Sequence, residues 1–352
     1  MKSKNILLLF GGSSPEHEIS VASASSVARI LNGHTVIPVY ITREGKWLMY
    51  DGKLDNIQNI NWQKFGTPAI LSPDKEDKGL LRIVGEKVKL IPIDVVLPIL
   101  HGQNGEDGTI QGLCELAGIP YIGCGVAASA VAMDKAITKI VAKGLKIPQC
   151  DFLTFCINEF ANDSKALMAK IGRKIGYPCF VKPSVGGSSI GITKVTSRKE
   201  LYDALEIAFA LCDRIVIEKN VDGREIEVGV LGGATTAKAS LTGEIIADGE
   251  FYDYDAKYTK PASETIVPAN IPEETQQKIQ EYALLLFRTI GGSGLSRVDF
   301  FLTEKGDILF NEINTMPGFT AISMYSKMWE ASGISNADLL DILIDIALDS
   351  VE

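Results

Sequence analysis

The sequence predicts an α/β protein of two or three domains, and three observations carry that prediction. At the N-terminus a strand (Asn5 to Phe10), a turn (Gly11 to Ser14), a helix (Ile19 to Asn32) and a strand (Thr35 to Ile41) follow one another. That succession builds a parallel sheet and places the turn at the carboxyl end of a strand, where open α/β sheets bind ligands. A continuous apolar run, Val95 to Leu100, then empties into H-G-Q-N-G-E-D-G ahead of a helix over Thr109 to Ala117, repeating the same grammar. Finally, a chain of 352 residues exceeds one ordinary core.

Hydrophobic content of 46% and charged content of 22% are those of a globular protein that buries a core without staples. The formal net charge of -9, with no basic run, argues against nucleic acid and anionic membranes as partners. Anionic substrates must therefore be held by local devices. Met1 to Phe10 has only a short apolar run and leads into Gly-Gly, so it reads as a first strand and not a targeting segment. The cysteines Cys114, Cys124, Cys150, Cys156, Cys179 and Cys212 form no C-x-x-C pair and no metal spacing, and are expected as buried, reduced thiols in the cytoplasm.

Taken in order, the first turn carries Glu16 and Glu18 just ahead of the helix. Glu18 suits the helix dipole, whereas Glu16 is the candidate for contacting a ligand amine. The stretch from Asn56 to Pro92 is polar and irregular, with hairpin-like pieces. His101 and Glu106 in the second turn belong at the same sheet edge as Glu16, although a lone turn histidine is more often a surface residue. A strand over Pro120 to Ile122 leads into G-C-G-V-A-A, a partial dinucleotide fingerprint that lacks its later acidic residue and is read as a domain junction. A helix over Val126 to Lys143 carries M-D-K, whose Lys135 either reaches a phosphate or stays solvated.

A helix over Ile157 to Ile175 and a strand over Cys179 to Lys182 precede the loop P-S-V-G-G-S-S-I-G. Its small residues let backbone N–H groups approach an anion, with Lys182 supplying a point charge, although a Gly-Ser hairpin turn is the plain alternative. It is not a Walker A loop. A strand over Arg214 to Lys219 delivers Glu218 and Lys219, with Glu225 further on.

The stretch Arg297 to Thr320 reads as a β-hairpin, with strands over Val298 to Leu302 and Asp307 to Ile313 around a turn at Gly306. Residues two apart share a strand face, so Arg297 lies with Asp299 and Glu312 with Asn314. Two carboxylates side by side are costly without cations. Asp, Glu and Asn offer only oxygens, which suits Mg²⁺ shared with nucleotide phosphates better than zinc or copper. An ion-pair cluster at a sheet edge is the alternative.

The motifs K-P-S-V-G-G-S-S-I-G, E-K-N-V-D-G-R-E, F-Y-D-Y-D-A-K-Y, S-R-V-D-F-F and F-N-E-I-N-T-M-P-G-F-T, in this order over nearly the whole chain, resemble the ATP-grasp superfamily. With G-G-S-S-P-E-H-E-I-S, H-G-Q-N-G-E-D-G and M-D-K, the chain resembles the D-alanine:D-alanine ligases, including those of vancomycin-resistance clusters. The resemblance implies an α/β ATP-grasp fold of three domains: residues 1–123 with an open parallel sheet and helices, then 124–217 and 218–352, whose two sheets clamp ATP. It implies ATP with two Mg²⁺ ions, Mn²⁺ being able to substitute, and D-alanine as substrate of a cytoplasmic homodimer making peptidoglycan precursors.

Carried over by motif, Lys135, Lys182, Ser189 and Lys257 would bind ATP phosphates, Glu218, Lys219 and Val221 the adenine, and Glu225 the ribose. Asp299, Glu312 and Asn314 would ligate the metals. Glu16 would bind the first ammonium, with Ser188 and Tyr258 hydrogen-bonded to it and His101 near the first carboxylate. Arg297 and the backbone at Gly318 would stabilise the oxyanion, and Ser323 and the backbone at Met324 would hold the second carboxylate. The chain departs from one common family form at Ala321-Ile322, where a Ser-His pair often follows the Thr.

The implied chemistry is an acyl phosphate made from ATP and displaced by an amine, which demands positioning and charge neutralisation more than proton transfer. Water must be kept out, and the segment Asp248 to Thr265 is the natural lid. In D-lactate-using relatives a histidine stands at the place of Tyr258, so this chain is expected to prefer an amine acceptor, with D-alanine:D-serine ligation as the alternative activity. A nucleotide-binding module, or a dehydrogenase built on G-C-G-V-A-A, would leave the Asp299/Glu312/Asn314 cluster unexplained.

Overall fold

The run N-I-L-L-L-F-G forms β1 (Asn5–Gly11), and its burial on both faces fixes what surrounds it. Side chains alternate across a strand. Ile6, Leu8 and Phe10 therefore enter one core, which they share with α1 (His17–Ile30) and the last helix of the chain, while Leu7 and Leu9 enter a second core with α3 (Thr109–Ala117). Each such side chain contributes roughly 1.5–3 kcal/mol on burial, so β1 is the anchor of this region. The computed structural model describes residues 3–52, 54, 57, 60–246, 264–320 and 322–349.

β1 pairs in parallel with β2 (Thr35–Ile41) on one side and with β7 (Val95–Ile99) on the other. Beyond β2 the sheet continues antiparallel through β3 (Trp47–Met49), β4 (Thr67–Leu71), β5 (Gly79–Val84) and β6 (Lys87–Pro92), giving the order β6-β5-β4-β3-β2-β1-β7. The stretch read as irregular thus supplies three strands. Their exposed faces hide the alternation in sequence, since no residue of β6 is more than half-buried and most are exposed. The short α2 (Trp62–Phe65) packs Trp62 against Phe10 and Tyr40. The strand expected over Pro120 to Ile122 is only a bridge between Val96 and Tyr121.

The helix expected over Val126 to Lys143 is two helices, α4 (Val126–Met133) and α5 (Lys135–Gly144). Asp134 breaks the run by adopting an extended backbone and accepting the Ile137 N–H at 3.1 Å, the usual behaviour of an Asp cap. It also accepts from the Ser184 hydroxyl and pairs with Arg214, tying α5 to the second sheet. That sheet has the order β10-β9-β11-β8, from β8 (Phe152–Cys156), β9 (Cys179–Pro183), β10 (Thr193–Val195) and β11 (Arg214–Lys219). α6 (Ile157–Lys174) and α7 (Arg198–Phe209) cover one face of it.

The third sheet runs β14-β13-β12-β15-β16, built from β12 (Arg224–Leu231), β13 (Lys238–Ile246), β14 (Glu264–Ile266), β15 (Leu295–Leu302) and β16 (Ile308–Asn314). Ile226, Val228, Val230, Val298, Phe300 and Leu302 pack with α4 and α8 (Glu273–Thr289) on one face. Two helices follow, α9 (Met324–Ala331) and α10 (Asn336–Asp349); α9 lies against β12 and β13, and α10 returns to the first sheet, where Leu339, Leu343 and Ile344 join the core of β1. All six cysteines are free, but Cys156 is exposed and Cys150 and Cys212 are half-buried, so the expectation of buried thiols holds only for Cys114, Cys124 and Cys179.

Candidate active site

If one face of β12 and β15 is core, alternation sends the odd residues to the other face. Glu225, Glu227, Arg297, Asp299 and Phe301 all line a cleft of about 1170 Å³. Register aligns them into rows. Asp299 sits directly between Glu227 on β12 and Glu312 on β16, and Arg297 directly between Gly229 and Asn314. Between Asp299 and Phe300 the pairing with β16 slips by one residue at Asn311. Phe310 and Glu312 would otherwise share a face; the bulge lets Phe310 enter the core while Glu312 stays in the cleft.

Like charges facing one another across strands repel. Arg297 offsets part of this: its Nε and Nη2 donate to the two oxygens of Asp299 at 2.8 and 2.7 Å, and Nε lies 3.2 Å from Glu227. Burial works against the guanidinium charge, but Asp299 and Glu227 outweigh it and hold its pKa well above the ordinary value. The row carries three carboxylates and one arginine, and Lys182 on the facing wall also bears on Glu312. The oxygen-only donors Asp299, Glu312 and Asn314 fit hard divalent cations such as Mg²⁺.

The opposite wall comes from the second sheet. Val181 points into the core there, so Phe180 and Lys182 face the cleft, as does Glu218 on β11. Lys182 Nζ lies 2.8 Å from Glu218, and the buried Lys139 lies 3.2 Å from its other oxygen. Burial alone would raise the Glu218 carboxyl, but the two ammonium groups hold it at about 2. Lys219 and Val221 continue this wall. At the mouth of the loop after β9, Lys135 donates to the Gly186 carbonyl at 2.5 Å, and Gly187, Ser188 and Ser189 line the cleft. Ser188 and Ser189 both have positive φ, 49° and 59°.

Glu16 precedes α1 and reaches this loop: the Ser188 hydroxyl donates to it at 2.5 Å. Glycine lies on both sides of the approach. A Cβ on Gly187 or Gly102 would stand 2.8 or 2.5 Å from a Glu16 oxygen. Beside Glu16, His101 donates from Nδ1 to the Met316 carbonyl at 3.0 Å, leaving Nε2 to accept from the Ser23 hydroxyl at 3.3 Å. Burial lowers the His101 pKa, so the ring is neutral. Glu106 accepts the N–H groups of Gly102 (2.8 Å) and Met316 (3.3 Å). Its carboxyl is raised to about 8, first by burial and then by Glu16.

The far end of the cleft is the start of α9. Ser323 accepts the Thr320 N–H at 3.1 Å, Gly318 lies alongside, and Met324 opens the helix. The structure thus gathers Glu16, His101, Lys135, Lys182, Ser188, Ser189, Glu218, Lys219, Val221, Glu225, Arg297, Asp299, Glu312, Asn314, Gly318, Ser323 and Met324 around one cleft. Lys257, Tyr258, most of the lid segment and Ala321 lie outside the described residues. Two participants escaped the sequence reading. Glu227 was signalled by its place two residues after Glu225 in a strand, and Lys139 by its place one helical turn after Lys135.

Residues 5–124 match the family model described as D-ala D-ala ligase N-terminus, and residues 141–345 match D-ala D-ala ligase C-terminus. The chain is 47% identical to a D-alanine–D-alanine ligase of Acetivibrio thermocellus, covering 98% of this chain and 96% of that protein. It is 44% identical to one from Caldicellulosiruptor bescii, with 99% and 96% covered. Among solved structures, the VanG D-Ala:D-Ser ligase of Enterococcus faecalis superposes with a TM-score of 0.88 at 39% identity, covering 98% of this chain and 99% of that one. The D-alanine-D-alanine ligase of Coxiella burnetii superposes with a TM-score of 0.86 at 33% identity, covering 100% and 95%.

Proposed function

The chain belongs to the D-alanine–D-alanine ligase family, and on that premise we propose how its cleft joins two D-alanines into the dipeptide used for peptidoglycan precursors. The observation that carries the reading is the confrontation of Lys135, Lys182 and the loop after β9 with the acidic row on the third sheet, with Glu16 and Ser188 closing one end.

The first D-alanine binds with its ammonium on Glu16, held in place by the Ser188 hydroxyl; His101, with both ring nitrogens committed to the protein, keeps the 315–318 loop against that subsite. ATP lies between the second and third sheets, its adenine by Glu218, Lys219 and Val221, its ribose by Glu225, and its phosphates by Lys135, Lys182 and Ser189. Asp299, Glu312 and Asn314 would hold Mg²⁺, or Mn²⁺, which when bound shares the charge of the phosphates.

A carboxylate oxygen of the first D-alanine attacks the γ-phosphorus; the bond to the β,γ-bridging oxygen breaks, giving ADP and D-alanyl phosphate. The neutral amine of the second D-alanine then attacks the acyl carbon. Arg297 and the Gly318 N–H stabilise the oxyanion, and collapse breaks the bond from the acyl carbon to the phosphate oxygen, the departing phosphate taking up the proton the nitrogen sheds as the peptide forms. Ser323 and the Met324 N–H, at the positive end of α9, hold the second carboxylate. Lys257 and the lid would complete the phosphate site and exclude water. Among the described residues no helix is long and apolar enough to cross a membrane; free cysteines and the need for ATP support a cytoplasmic enzyme. A homodimer is part of the same reading, tested by light scattering.

The test is ADP release in the presence of D-alanine, with D-serine and D-lactate in competition. A tyrosine at position 258, a side chain that is ordinarily uncharged, is proposed to favour an amine acceptor over an anionic one. D-serine should be used less well than D-alanine and D-lactate poorly even at mildly acid pH. A dominant D-serine product would assign the chain the activity named for the Enterococcus faecalis neighbour, and no ADP release with any of the three would remove the reading.

A further inference from the structure

Lys139 is a charged side chain with only 1% of its surface exposed, and it does not line the cleft. It lies behind the wall, between the rings of Phe152 and Phe310 at 5.8 and 5.9 Å, with Cys150 Sγ 4.0 Å from its Nζ. Such a site is expensive for an ammonium unless it has work to do with a partner. The partner is Glu218, which Lys139 meets at one oxygen and Lys182 at the other. Two lysines on one carboxylate leave one positive charge in excess on this wall, and it faces Glu312 of the third sheet.

The excess matters because Lys182 cannot serve two masters freely. A Glu218–Lys182 pair alone would be neutral, and drawing Lys182 away to a phosphate would strand a buried carboxylate. With Lys139 in place, Glu218 keeps a cationic partner whichever way Lys182 turns. α5 supports the division: Lys135 and Lys139 are one turn apart and share a helix face, Lys135 reaching the loop at Gly186 and Lys139 reaching Glu218. We infer that Lys139 is a positioning residue: it holds the Glu218 carboxylate from behind and thereby frees Lys182 to bind the nucleotide phosphates.

The inference rests on the ligase reading and deepens its nucleotide site. Its test is equilibrium binding, without turnover, of ADP and of adenosine to Lys139→Met, Lys139→Gln and Lys139→Arg proteins. Removing the rear charge locks Lys182 onto Glu218, which stays ionised, so ADP affinity should fall by about tenfold to a hundredfold while adenosine affinity changes by no more than about twofold. Lys139→Arg should restore most of the ADP affinity. A merely structural role would weaken both ligands alike, and that outcome, or unchanged ADP affinity in Met and Gln variants that melt as the wild type does, overturns the inference. Should Lys139→Met not fold, the Gln variant carries the comparison. Wild-type protein that binds no ADP would overturn the ligase reading itself, a result distinct from a wild type that binds and a variant that does not respond.

Discussion

The Nδ1 of His101 and the carbonyl of Met316, 215 residues apart in the chain, meet at 3.0 Å, and Glu106 receives the N–H of the same Met316. The loop after β7 is thereby bound to the loop after β16, so the subsite proposed for the first substrate draws on segments far apart in the chain. Glu106 carries the titration of this joint, with His101, Glu16 and Arg297 as the charged or titratable groups bearing on it. Its folded pKa, about 8, is above the unfolded carboxyl value. Stability from this group is fully present below the unfolded pKa of about 4.5 and is lost as pH rises through about 8. The melting temperature of the wild type relative to Glu106→Gln should fall across that window and level off above it. A difference independent of pH would show that Glu106 does not titrate there.

Asp299→Ala and Glu312→Ala should fold normally and lose turnover by on the order of 10²-fold or more, because each removes an oxygen donor facing the phosphates. Melting of the ligand-free Glu312→Ala protein should be unchanged or raised, since it relieves repulsion within the row of Glu227, Asp299 and Glu312. Near-normal turnover at saturating Mg²⁺ in either variant would remove these residues from the reaction.

Strands whose two faces differ were legible. β15 and β16 were legible as apolar, β-rich runs around the turn at Gly306, and the gathering of Arg297, Asp299, Glu312 and Asn314 followed once those strands were taken to pair. What alternation cannot reveal is where it slips: the bulge at Asn311 is invisible in sequence because Phe310 and Glu312 look like neighbours on one face. β4 to β6 were legible only as hairpin-like pieces without bounds, because solvent reaches most of β6 and parts of β4 and β5 and weakens the apolar signal. The break at Asp134 was missed because an apolar helical pattern runs through both V-A-A-S-A-V-A-M and K-A-I-T-K-I-V-A-K-G, whereas the Asp134 cap on Ile137 and its contacts with Ser184 and Arg214 stop the first helix there. Lys139 was passed over because a helical lysine is ordinarily solvated, and its burial depends on the packing of β8 and β16 around it.

Asp134→Ala should reduce stability by about 1–3 kcal/mol, from the lost cap, the lost partner of Ser184 and the lost pair with the half-buried Arg214. Because Lys135 follows directly, the KM for ATP should rise more than kcat falls. Denaturant unfolding checks the first and steady-state kinetics the second; a variant as stable as wild type would mean that α5 starts without its cap.

In the proposed mechanism a carboxylate oxygen of the first D-alanine is transferred to phosphorus before the peptide forms. D-alanine labelled with oxygen-18 in both carboxylate positions, incubated with ATP and the enzyme, tests it by mass spectrometry of the released inorganic phosphate. Phosphate carrying one heavy oxygen for each dipeptide formed is the predicted result; dipeptide formed with unlabelled phosphate would contradict an acyl phosphate in this cleft.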